Sequence, residues 1–147
     1  MADNLDAIWV GVGSVCDLDD LGHLRDQPVR PSDPMSPLWN VVPGLCTGNM
    51  IAIGTHDHVS TSLVHHEVGH ALDSLDRMSD GQDWITIMML VRQHLTHPRF
   101  RDDRAEWWAE AFALCATRQA SRPLRMLDGQ DNLAAIVSTH FRRMYGV

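Results

Sequence analysis

The sequence predicts an α+β fold, a short N-terminal sheet followed by a helical C-terminal half. Three observations carry this. Short apolar runs bounded by turn residues lie before residue 56, long periodic segments lie after residue 60, and the two kinds do not alternate as βαβ units would. At 147 residues the chain suits one compact domain, 1–147, and is too short for two.

Residues 6–12, DAIWVGV, read as the first strand. Residues 16–37 are rich in Asp, Pro, Gly and Arg and read mostly as loop, with three prolines in RPSDPMSP. A second short strand is expected at 38–42, LWNVV, before a Pro43-Gly44 turn, and a third at 49–55, NMIAIGT. The first strong helix covers about 60–76, with Ser60, Thr61 or Ser62 as its cap. Further helices are expected at about 82–97, stopped by Pro98, at 103–120, followed by Pro123, and at 131–144.

Composition narrows the function. The net charge of -7 argues against a general nucleic-acid binder, because phosphate contacts need a basic surface. No apolar run approaches the ~20 residues of a membrane span. The N-terminus carries acids where a secretory leader would carry bases, so the sequence predicts a cytoplasmic protein, or one already separated from its leader. Cys16, Cys46 and Cys115 are odd in number and lack CxxC spacing, which argues against a disulfide framework and a cysteine-held zinc. A Cys16–Cys46 pair has no support beyond being available, and Cys115 reads as a small core residue. All twelve basic residues are arginine, and only three of the nineteen acids are glutamate: Glu67, Glu106 and Glu110. All three fall in two short segments, so each calls for an explanation.

The first segment is LVHHEVGHALD, Leu63 to Asp73. On a helix, His66 and His70 lie on one face, roughly 5–6 Å apart at Cβ, and converge on a single ion. Glu67 is one step round the helix, beside a water on such an ion. This is the HExxH arrangement of two zinc ligands and a general base. Zinc lowers the pKa of its water towards 7, and Glu67 would take the proton and return it to the leaving amine. The competing reading is a chance match, because the motif is short. Gly69 costs the helix about 1 kcal/mol relative to alanine, so something needs close approach there. His65 points away from the His66/His70 face and reads as packing or solvent-facing.

A catalytic zinc needs a third protein ligand. Asp76 is nearby, but HALDSLD reads as continuing helix, which puts Asp76 about 9 Å along the axis from His70. The second segment, RAEWWAEAFAL from 104 to 114, offers Glu106 and Glu110 at i and i+4. One carboxylate can bind the metal while the other holds a ligand histidine by its second ring nitrogen. Trp107, Phe112 and Leu114 would pack around them.

HEVGHALD followed by AEWWAEAFAL, with Glu106 placed 36 residues after His70, resembles the gluzincin metallopeptidases of the anthrax lethal factor and Pro-Pro endopeptidase type. The resemblance spans Val64 to Cys115. It implies a small zincin-like domain, a Zn²⁺ cofactor held by His66, His70 and Glu106, Glu67 as general base and Glu110 as the carboxylate behind a histidine. Asp73 matches the acid that follows the second histidine, in a structural or supporting place. The implied activity is endopeptidase, with a protein or peptide substrate that pairs along the strand at 50–55.

One position departs from the family. A tyrosine that stabilises the oxyanion stands seven residues before the glutamate ligand, where this chain has Arg99; its only tyrosine is Tyr145. Arg99, Arg101 or His97 would have to donate instead. The departure keeps a second expectation open: an idle metallopeptidase fold used as a binding or assembly module, in a phage particle or toxin system. A repressor-cleaving regulatory protease is a third, with its two motifs usually closer together and a DNA-binding domain attached.

Overall fold

A computed structural model describes residues 6–47, 49–119 and 121–147. They fall into two compact units, Met1–Val59 and Ser60–Val147. The fold class is the expected α+β, strands first and helices after.

The N-terminal unit holds three strands: β1 (Ala7–Val10), β2 (Gly44–Cys46) and β3 (Met50–Ile53). The sheet order is β1-β3-β2, with β1 parallel and β2 antiparallel to β3. A small core of Val15, Cys16, Leu21 and Ala52 lies within this unit. The first and third expected strands are present in shortened form. The second is corrected: Trp39–Val41 is a 3-10 turn, and β2 begins inside the expected Pro43-Gly44 turn. Cross-strand pairing decided this, with Leu45 opposite Ala52, whereas the Trp39 N–H bonds the Gln27 carbonyl. Cys16 and Cys46 are not joined in a disulfide.

The helical unit holds α1 (Leu63–Asp76), α2 (Gln82–Val91), α3 (Pro98–Asp102), α4 (Arg104–Ala116), α5 (Ser121–Met126) and α6 (Asp131–Tyr145). None of the described helices is long and apolar enough to cross a membrane. Two expected helices are shorter than predicted. The one at 82–97 ends at Val91, and Pro98 opens α3 at its first turn, where a missing N–H costs nothing. The one at 103–120 ends at Ala116, with Arg118 in the left-handed region at φ 54°; Ala120 lies outside the described residues. Pro123 likewise falls inside a short helix.

The core of this unit is aromatic. Trp84, Trp107, Trp108, Phe100 and Phe141 are fully buried, and Trp84 Nε1 donates to the Arg104 carbonyl at 3.1 Å, tying α2 to the start of α4. Helices α1 and α4 approach closely. A Cβ on Gly69 would lie 2.8 Å from Ala109 Cα and 3.0 Å from its carbonyl oxygen. That is the close approach anticipated from the glycine, and it sets the spacing of the site.

Candidate metal centre

Helix α1 presents its first two turns to α4. His66 and His70 are spaced one turn apart, and their rings meet edge to face with centroids 4.8 Å apart. His66 is buried and His70 half-buried. Helix α4 is started by Asp103, whose Oδ1 accepts from the N–H groups of Ala105 and Glu106 at 3.0 and 3.3 Å. This cap fixes the backbone of Glu106 in the first turn. The D-x-x-E spacing of Asp103 and Glu106 was a legible start signal that sequence reasoning passed over.

The two helices bring three donors together. His66 Nε2 lies 3.1 Å from His70 Nε2, and Glu106 Oε2 lies 3.3 Å from the first and 3.7 Å from the second. One ligand atom from each of His66, His70 and Glu106 falls within 4.8 Å of the others. Two imidazoles and one carboxylate at this spacing are a donor set suited to zinc. The residues present therefore fit the ion.

Behind the triad, Glu110 is fully buried. Its Oε2 bonds His66 Nδ1 at 3.1 Å and accepts from Ser60 Oγ, while Oε1 accepts from the Thr61 N–H at 2.8 Å. This leaves Nε2 of His66 for the triad side. Of the three expected caps for α1, Ser62 takes the cap position, with its hydroxyl on His65 Nδ1, while Ser60 and Thr61 anchor Glu110. No local signal tied Ser60 to a glutamate fifty residues away.

Electrostatics follow from burial and pairing. Burial disfavours a charge on His66, but Glu106 and Glu110 outweigh it and raise its pKa to about 9. Burial opposes the charge on Glu106 as well, yet His66, His70 and Arg99 hold it far below the usual carboxylate range. Glu110 is lowered for similar reasons, by His66, Ser60 and Thr61. Glu67, nearly all buried, moves the other way: desolvation raises its pKa and outweighs the opposing pull of His70, His66 and Arg99.

Arg99 reaches the site. Its Nε donates to Glu106 Oε2 at 2.8 Å and its Nη2 to Oε1 at 2.9 Å. The other expected oxyanion donors have different partners: Arg101 pairs with Asp102, and His97 caps α3. Tyr145 packs against Trp108, Phe112 and Phe141 in the core. Asp73 lies away from the triad atoms, where its Oδ1 accepts from the Ser79 N–H at 2.6 Å and shapes the turn after α1. Asp76 is exposed at the end of that helix.

No family model matches the chain, and no curated protein matches it. Among solved structures it is similar to the PRO-PRO endopeptidase PPEP-2 from Paenibacillus alvei, with a TM-score of 0.66 and 18% identity over 92% of this chain and 78% of that one. At that identity the likeness shows a shared fold, a small α+β arrangement with strands first and helices after.

Proposed function

We propose that this protein is a zinc-dependent endopeptidase of the gluzincin type, related in design to the lethal factor and Pro-Pro endopeptidase group. The observation that carries this is the convergence of His66 Nε2, His70 Nε2 and Glu106 Oε2 beside the buried Glu67. The fold shared with a Pro-Pro endopeptidase supports it. His66, His70 and Glu106 would hold the ion, which when bound supplies Lewis acidity towards a water and the scissile carbonyl.

Each protein group has a task in this reading. Glu110 holds His66 by Nδ1 and keeps Nε2 in the ligating tautomer. Glu67, with its pKa raised by burial, takes a proton from the attacking water and passes it to the leaving amine. The substrate is a peptide or protein. Asp73 has a supporting part, holding the turn that ends α1.

The idle-fold reading is favoured by one observation, Arg99 bound to Glu106 where a tyrosine would serve the oxyanion. Two measurements decide. Metal analysis should find about one zinc per chain in the wild type and a sharp loss in Glu106→Ala; zinc-free wild type prepared without chelator would end the zinc reading. Glu67→Gln should keep zinc and lose peptide cleavage by about 100-fold or more. Biological function left intact by that variant would favour the idle fold.

A further inference from the structure

Arg99 grips both oxygens of Glu106, through Nε and Nη2. Only one of those oxygens, Oε2, is the atom that faces His66 and His70. The backbone of Glu106 is fixed by the Asp103 cap, but its carboxylate plane is not. Among the described residues, Arg99 is the side chain that sets this plane from outside the triad. A guanidinium suits the task because its planar fork matches a carboxylate in two places, whereas an ammonium offers a single point of charge.

We infer that Arg99 is a positioning residue for Glu106: by gripping both oxygens it fixes the carboxylate plane with Oε2 towards the two histidines. The inference rests on the zinc-site reading above. It gives Arg99 work on the metal ligand in place of the oxyanion role expected from sequence. A carboxylate held in this way binds through one oxygen and suits a four-coordinate ion such as zinc. A freed one could bind through two, as larger cations favour.

Arg99 also carries a positive charge, and that charge by itself opposes any cation nearby. The two effects predict opposite results when it is removed, which makes the inference testable. Zinc affinity would be measured by competition with a chromogenic chelator for the wild type, Arg99→Ala and Arg99→Lys. The Arg99 side chain is half-exposed, so both variants should fold, with metal-free melting curves as the check. Positioning predicts zinc binding at least about 10-fold weaker in Arg99→Ala, with Arg99→Lys failing to restore it. The cobalt(II)-loaded Arg99→Ala protein should show a weaker visible absorption, the mark of a higher coordination number. Tighter or unchanged zinc binding in Arg99→Ala would overturn the inference, and so would full rescue by lysine or an unchanged cobalt spectrum. Absence of zinc from the wild type would instead sink the underlying metal-site reading, so the two failures are distinct.

Discussion

Glu106 and Glu110 sit one turn apart on the same helix and have opposite surroundings. Glu110 is fully buried, with Ser60, Thr61 and His66 around it. Glu106 keeps 17% of its side chain exposed and is gripped by an arginine that is itself 46% exposed. The closed side of the site is thus built into the interior, and the open side is held by one surface residue. A buried carboxylate must satisfy its lone pairs to be tolerated at all. The more open one keeps its arginine and still turns Oε2 towards the two histidines. The difference teaches that Glu110 is bound into the fold, while Glu106 is left facing the two histidines, where the proposed zinc site needs it.

The largest expected effect comes from breaking the closed side. Glu110→Ala would leave a buried histidine and the Thr61 N–H without their acceptor, and should cost about 3 kcal/mol or more of stability in urea denaturation. Glu106→Ala should abolish metal binding at a smaller cost in stability, because its partly exposed site lets water replace some of its pairing with His66, His70 and Arg99. Equal losses from the two substitutions would erase the contrast.

Proton linkage sharpens it further. The folded pKa of His66 is raised from 6.5 to about 9, so its charge stabilises the metal-free protein fully below 6.5, and this is lost as pH rises through about 9. Glu110 is lowered from 4.5, so its contribution is present above 4.5 and lost as pH falls further. These two groups place the highest urea midpoint of the metal-free protein between pH 4.5 and 6.5, and the raised pKa of Glu67 moves it towards the acid end. Zinc must displace the His66 proton, so its affinity should climb with pH up to about 9, with a proton released that calorimetry in two buffers can count. A urea midpoint that stayed flat from pH 6.5 to 9 would mean that His66 is not charged in the absence of metal.

The smallest effect tests the spacing that both sides share. Gly69→Ala gains about 1 kcal/mol in helix propensity but drives a methyl against the Ala109 backbone, an overpacking cost of about 1–3 kcal/mol. A net loss of about 1 kcal/mol is expected by thermal unfolding, with weaker zinc binding as α1 and α4 part. A stabilised variant with unchanged zinc affinity would show that the helices have room to spare.

Much of this was legible without coordinates. The i, i+4 spacings of His66 with His70 and of Glu106 with Glu110 depend on helical periodicity alone, and the helices at Leu63–Asp76 and Arg104–Ala116 carry it. The order of strands before helices and the cost of Gly69 were equally local matters. Local sequence did poorly where a partner distant in the chain made the choice. β2 formed at Gly44–Cys46 and not at 38–42 because β3 offered its ladder there. Of the three candidate caps Ser60, Thr61 and Ser62, the last took the helix end, and the first two went to Glu110 because a buried carboxylate needs donors. Arg99 was expected as an oxyanion donor, and its hold on Glu106 depends on the corner between α3 and α4. By itself, then, the sequence determined which residues share a helix face, because the period of a helix is a property of the backbone. Only the tertiary structure decided which faces meet and which polar groups satisfy one another, because those choices are made by desolvation between segments far apart in the chain.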